Sequence, residues 1–286
     1  MNQYICDNGN FRKKEDYNIS LNNRAFRYGD GFFETIRGFS TQPLLFEYHF
    51  QRIQKSLKTL KLKTGDDFNE ELLQKMIEKL LTKNKLFKGA RIRITFFRNG
   101  EGLYTPETNE SAFIIESQAL NDTYELNKKG LLIDVFPDIK INVSPLSFLK
   151  SINALPYVLA GVYKQEHRLD ECILLNEHGS LCETISSNLF VFYNDTLYTP
   201  SLRDGCVAGV MRQKILEFAA NNGITTEDTK PLTVNHLLDA EEIFITNAIM
   251  GIQWVGAFRN KRYFHFMASK LIRELNEWVF LPWRKN

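Results

Sequence analysis

Cysteine is scarce in this sequence and shows no pattern. The four residues, Cys6, Cys172, Cys182 and Cys206, form no C-x-x-C pair, and the five histidines lie far apart with no H-E-x-x-H spacing. That argues against structural zinc and leaves buried free thiols as the default. No hydrophobic run approaches the length of a membrane span, and the opening MNQYICDNGNFRKKEDY has neither an apolar h-region nor a small-residue cleavage site, so the expected location is the cytoplasm. No charge of one sign dominates. The 36 basic residues are interspersed with 34 acidic ones, for a net charge of +2, which excludes a nucleic-acid footprint or a membrane-surface patch. Internal repeats and low-complexity segments are also missing.

What is present is an ordinary globular composition, 43% hydrophobic and 24% charged over 286 residues, long enough for two domains. Phe50, Ile53, Leu57 and Leu60 make one helical stripe over 47–60, and Leu73, Met76, Ile77 and Leu80 another over 70–82. RIRITFF (91–97) and AFIIESQAL (112–120) read as strands across the turn-rich NGEGLYTPETNE. The polar stretch NDTYELNKK, 121–129, is the expected linker between a domain at 1–120 and another at 130–286. The second part opens with the strand GLLIDVF and a helix near 154–168. ECILL, SNLFVFY and TLYTP follow as hairpin strands, then a helix over 209–221, the strand EEIFIT and a final helix near 265–278. The fold class is α+β, with much antiparallel sheet.

Several polar residues sit awkwardly in this scheme. Lys150, in FLKSINALPYVLAG, follows an apolar pair and precedes YVLAG, a run expected in the core; the ordinary reading of such a lysine is a solvated chain end. RAFRYGDGFFETIRGF (24–39) packs glycines around Asp30, a tight bend before a strand. Glu183, Ser186, Ser187 and Asn188 stand before a buried strand, where they could be turn chemistry. DGCVAGVMRQKILEF (204–218) brings a glycine pair to a helix start, where free N–H groups and the dipole favour an anion. Thr246 and Asn247 end a hydrophobic strand, suited either to a phosphate cradle or to capping the next turn.

Taken in order, Y-G-D-G-F-F-E-T-I-R (28–37), L-K-S-I-N-A-L (149–155), E-T-I-S-S-N-L-F (183–190), G-V-M-R (209–212) and I-T-N-A (245–248) resemble the class IV aminotransferase family, the fold-type IV enzymes that use pyridoxal 5'-phosphate. The resemblance spans nearly the whole chain. It implies a two-domain, D-amino acid aminotransferase-like fold, with a smaller N-terminal α/β domain and a larger C-terminal pseudo-barrel that binds the cofactor. It also implies a homodimer with the active site at the subunit interface. By resemblance, Lys150 is the Schiff-base lysine, whose amine must be neutral to act and whose proton transfers follow. Glu183 matches the acid facing the pyridine nitrogen, and Arg52 the phosphate-binding arginine. Val210, Met211 and Thr246 match the other phosphate contacts, and Ser186 and Asn188 positions beside the cofactor. Phe33, Arg98 and Asn247 are the substrate-facing positions.

Three branches of the family compete. Branched-chain aminotransferases usually carry a tyrosine five residues after the lysine, where this chain has Leu155. D-amino acid aminotransferases trap the substrate carboxylate with an arginine and a histidine on the loop that here reads R-N-G-E-G-L-Y-T-P (98–106), which holds no histidine. I-T-N-A-I-M-G-I is similar to the ending of 4-amino-4-deoxychorismate lyases, which release 4-aminobenzoate and pyruvate for folate synthesis. Trp254 departs from that pattern and is positioned to reshape a pocket wall. The resemblance therefore implies the lyase, with an aminotransferase acting on branched-chain or D-amino acids and 2-oxoglutarate as the alternative. With Lys150, Glu183 and Arg52 all in place, a binding module that has lost catalysis is disfavoured.

Overall fold

The computed structural model describes residues 3–284; residues 1, 2, 285 and 286, the outer ends of the two expected domains, lie outside it. The chain divides into two compact units. The first takes the chain through Thr123, together with Leu149–Asn153 and the stretch from Val279. The second comprises Tyr124–Phe148 and Ala154–Trp278. The division at 123/124 falls inside the expected linker, and the first unit reclaims two segments that a simple N-to-C partition assigns to the other part.

The first unit contains β1 (Tyr4–Asp7), β2 (Asn10–Lys13), α1 (Arg24–Tyr28), β3 (Gly31–Phe39), β4 (Gln42–Pro43), α2 (Phe46–Thr59), α3 (Glu70–Lys83), β5 (Ala90–Arg98) and β6 (Ser111–Ala119). Its six-stranded sheet has the order β2-β1-β6-β5-β3-β4. Period-two alternation in β3 and β5 sends Phe32, Ile36, Ile92, Ile94 and Phe96 to the core. There they meet Phe50, Ile53 and Leu57 of α2 and Leu73, Ile77 and Leu80 of α3. Each such side chain is worth roughly 1.5–3 kcal/mol when fully buried. α3 starts where Asn69 accepts a hydrogen bond from Leu72 N at 2.9 Å, and Glu70, Glu71 and Lys83 complement its dipole.

The second unit contains β7 (Leu131–Val135), α4 (Leu155–Glu166), β8 (Glu171–Leu175), β9 (Leu181–Thr184), β10 (Asn188–Tyr193), β11 (Thr196–Tyr198), α5 (Val210–Asn221), β12 (Thr225–Glu227), α6 (Val234–Asp239), β13 (Glu242–Asn247), β14 (Gly251–Phe258) and β15 (Lys261–Arg262). The last helix, α7, spans Phe266–Arg284 and so passes beyond the unit's limit at Trp278. The sheet runs β12-β11-β10-β13-β14-β7-β8-β9, with β15 pairing β14. β9 leads through the short turn at 185–187 directly into β10, which curls the sheet back on itself. Ile133, Ile173, Leu189, Val191, Ile243, Ile245, Val255 and Phe258 fill one core. Glu242 caps α7 by accepting from Met267 N at 2.8 Å and Ala268 N at 3.3 Å.

The run YVLAG is not core. α4 turns Leu155, Val158, Leu159 and Val162 outward along one face, so that Ala160 is its buried residue while Leu155 is 73% exposed and Val158 56%. The stretch before SNLFVFY is not all turn either, because Leu181–Thr184 forms β9 against β8. The end of the expected linker is held in place. Trp254 N donates to Asn127 Oδ1 at 2.8 Å, Asn127 Nδ2 returns a bond to Trp254 O at 2.9 Å, and the indole Nε1 donates to Asn127 O at 2.7 Å. Gly130 lies so near the indole that a Cβ there would meet Trp254 at 2.5 Å. Trp254 thus anchors the opening stretch of the second unit to β14.

Candidate active site

Lys150 belongs to neither a helix nor a named strand. Its segment runs along the edge of β3: Phe33 N donates to Lys150 O at 2.8 Å, Ile152 N donates to Gly31 O at 3.2 Å, and Asn153 Nδ2 donates to Gly29 O at 3.0 Å. Gly29 ends α1 with φ at +62°, where a Cβ would collide with Asn153. The Y-G-D-G bend is thereby fitted to the lysine's segment. Half-buried, Lys150 sets its Nζ 4.7 Å from the centroid of the Phe33 ring. The Arg93 guanidinium lies 3.8 Å from the same centroid. Arg91 and Arg93 alternate onto that face of β5, opposite Arg37 and Thr35 of β3, and Arg93 pairs across to Glu116 of β6. Burial, and then the charge of Arg91, push Arg93 below the ordinary arginine range. Arg91 Nε is buried and has no hydrogen-bond partner among the described residues.

On the inner face of β3, Glu34 is 1% exposed. Arg52 grips it with Nε to Oε1 at 2.7 Å and Nη2 to Oε2 at 2.8 Å, and His49 Nδ1 lies 2.8 Å from Oε2. Burial alone raises the carboxyl's pKa, but the charge of Arg52 and the bonds from His49 and Arg52 outweigh it and bring the group down to about 2. Arg52 therefore spends two of its donors on a buried acid inside the fold. Arg98 is similarly committed: it donates to Asp30 at 3.0 Å, Asn109 at 2.5 Å and Leu60 O at 2.8 Å. Asp30 also accepts from Arg24 at 2.8 Å, and Arg24 holds the carbonyls of Gly102 and Leu103. The 98–106 loop is thus held by Arg24, and Asp30 joins Arg24 to Arg98.

In the second unit, Glu183 sits on β9 and is buried. Its Oε2 accepts from Val207 N at 3.0 Å, and its Oε1 from the Tyr157 hydroxyl at 2.7 Å. Sequence reasoning missed Tyr157, since nothing local joins positions 26 residues apart. Asn188 pairs across the sheet with Thr246, donates to Val207 O at 2.9 Å, and would obstruct any Cβ placed on Gly209. Gly209 is the N-cap of α5 and offers no side-chain cap. The helix itself supplies no acceptor for the N–H groups of Val210, Met211 and Arg212. Thr246 is 1% exposed, and its Oγ1 has no hydrogen-bond partner among the described residues. An orphaned hydroxyl and an uncapped helix start, joined through Asn188, form a cradle suited to a phosphate group.

The neighbouring residues divide differently from the expectation. Ser186 is exposed at the turn, whereas buried Ser187 accepts from Asn247 Nδ2 at 2.9 Å. Asn247 Oδ1 caps the following turn through Ile249 N at 2.9 Å and Met250 N at 2.8 Å. Of the two functions weighed for the strand end, Asn247 performs the capping, and Thr246 Oγ1 is left without a partner among the described residues.

Residues 31–258 match the model of the amino-transferase class IV family. An aminodeoxychorismate lyase of Bacillus subtilis (strain 168) is 31% identical over 256 residues, 87% of this chain and 84% of that protein. A putative branched-chain-amino-acid aminotransferase of Methanocaldococcus jannaschii is 28% identical over 240 residues, 84% of this chain and 82% of its own. Among solved structures, the branched-chain amino acid aminotransferase of Thermobaculum terrenum in its PLP form has a TM-score of 0.87 over 98% of this chain and 94% of its own, at 18% identity, a likeness of fold. With the family match running through both units from the start of β3 to the end of β14, and so including Lys150, Glu183 and Thr246, the chain belongs to the amino-transferase class IV family.

Proposed function

We propose that the protein is a pyridoxal-phosphate enzyme that converts 4-amino-4-deoxychorismate to 4-aminobenzoate and pyruvate. The observation that carries this reading is the arginine pair on the face that Lys150 shares through Phe33. Arg91 and Arg93 are cations one alternation apart on β5, and Arg91 Nε has no hydrogen-bond partner among the described residues. The lyase substrate carries two carboxylates on a compact ring, so each arginine has a charge to meet. A branched-chain amino acid carries one carboxylate and an aliphatic side chain, which would leave one of these half-buried cations without a carboxylate from the substrate.

Lys150 would hold the cofactor covalently, and its freed amine would take the proton from the amine-bearing ring carbon of the substrate. When bound, pyridoxal phosphate supplies the electron sink that lets this carbon–hydrogen bond break. Glu183 would keep the proton on the cofactor's ring nitrogen. Thr246 Oγ1 and the N–H groups of Val210 and Met211 would hold the phosphate, with Arg52, bound here to Glu34, as the further ligand that the resemblance implies. The ring carbon–oxygen bond then breaks, the enolpyruvyl group leaves and is protonated to pyruvate, and the ring becomes aromatic. We place the enzyme in the cytoplasm as a homodimer. The exposed apolar strip of Leu155, Val158, Leu159 and Val162 on α4 supports a second copy at that surface.

The alternative is an aminotransferase for branched-chain or D-amino acids. The Methanocaldococcus jannaschii relative favours it. Two parallel assays decide between them. Aminodeoxychorismate supplied alone should give 4-aminobenzoate and pyruvate over many turnovers, since no amino acceptor is needed. Rapid glutamate formation from leucine or D-alanine with 2-oxoglutarate, without 4-aminobenzoate, removes the lyase reading and leaves the cofactor reading in place.

A further inference from the structure

α4 begins with Leu155 and Pro156, where a proline costs no helical hydrogen bond and fixes the backbone. Tyr157 follows, so the direction of its side chain is set by the start of the helix. Its hydroxyl reaches Oε1 of Glu183 while Val207 N reaches Oε2, one donor for each carboxylate oxygen. Two donors on two oxygens fix the rotation of the carboxylate plane as well as its position. Burial, followed by the charge of Glu183, pushes the Tyr157 phenol far above its ordinary range. The phenol accordingly keeps its proton and acts only as a donor.

We propose that Tyr157 is a positioning residue for the cofactor's ring nitrogen: its hydroxyl keeps Glu183 ionised and fixes the direction in which the remaining lone pairs of the carboxylate point. The inference rests on the reading of Glu183 as the ring-nitrogen partner. A carboxylate deprived of one donor is more basic and free to turn. More basic, it draws the shared proton away from the ring nitrogen. Free to turn, it loses the aligned contact. Both changes reduce the positive charge on the ring. The other task open to Tyr157 is to tie α4 to β9, which would affect stability and leave the ring nitrogen untouched.

The test compares two probes on the apoprotein, pyridoxal phosphate and its 1-deaza analogue, in which a C–H replaces the ring nitrogen. Both are titrated into wild type and Tyr157→Phe and followed by absorbance. Wild type should prefer pyridoxal phosphate by about tenfold or more, and Tyr157→Phe should cut that preference about tenfold, as expected for one hydrogen bond to a charged group. Affinity for the analogue should stay within about twofold, and kcat should fall about tenfold with the substrate KM unchanged. The preference is a ratio within one variant, so a general loss of stability cancels. Glu183→Gln should remove the preference, and adding Tyr157→Phe to it should change nothing further. A Tyr157→Phe protein that keeps the wild-type preference overturns the inference alone. A wild type that binds both probes equally overturns the reading of Glu183 and the inference with it.

Discussion

In the first unit Glu34 is 1% exposed and is met by two donors from Arg52 and a ring nitrogen of His49; in the second, Thr246 is equally buried and its hydroxyl meets nothing among the described residues. In the first unit the network around Glu34 closes on itself, while Arg91 Nε, on the other face of the sheet, has no partner among the described residues. Asp30 repeats the pattern, held between Arg24 and Arg98. The second unit satisfies Glu183, Asn188 and Asn247 and leaves open the hydroxyl beside an uncapped helix start. An unsatisfied buried group costs about 1–3 kcal/mol. A fold retains one where a ligand completes it. A closed network indicates that charge is being used to hold a shape, here the β3 and α2 scaffold beneath the lysine.

The largest expected effect lies at Lys150. Lys150→Ala should abolish the borohydride-fixable cofactor adduct altogether, as read by mass spectrometry of the reduced protein. An adduct persisting on another lysine removes the central claim about this site.

Arg52 sharpens the contrast, because it belongs to the closed network and is also proposed as a phosphate ligand. Arg52→Leu should destabilise the cofactor-free protein by about 3–5 kcal/mol in urea, since Glu34 remains as an uncompensated buried charge. Replacing Glu34 and Arg52 together with leucine should recover most of that loss. If the single variant costs less than about 1 kcal/mol, the arginine serves the ligand more than the fold.

The smallest effect tests the open side. Thr246→Val keeps the shape and removes the orphaned hydroxyl, so cofactor-free stability should hold or rise slightly. Affinity for pyridoxal phosphate should fall about tenfold in a titration of the apoprotein, equivalent to about 1.4 kcal/mol. A stability loss without an affinity change would mean that the hydroxyl has a structural partner, and that the two units treat their polar interiors alike.

The sequence was informative wherever meaning lay in local order. The stripes of α2 and α3, the alternation of β5 and β6, and the family's motifs could be read directly, because periodicity and turn chemistry act over a few residues. Reading was weaker where burial depends on what covers a surface. YVLAG was expected in the core, yet the fold turns most of α4 outward. β9 looked like part of a turn because its partner, β8, is recognised only once the sheet has formed. Ser186 and Ser187 have the same side chain, and only the geometry of the hairpin buries the second.

The sequence by itself determined the helices and strands that carry the motifs, the family, and the identity of Lys150 as the residue to test, because these depend on residue type and spacing along the chain. Only the tertiary structure decided that Arg52 and Arg98 are held by Glu34 and Asp30, that the Thr246 hydroxyl meets no partner among the described residues, and that Tyr157 grips Glu183. Hydrogen-bond partners are chosen by distance and angle in space, and residues 26 positions apart have no relation in the sequence until the chain has folded.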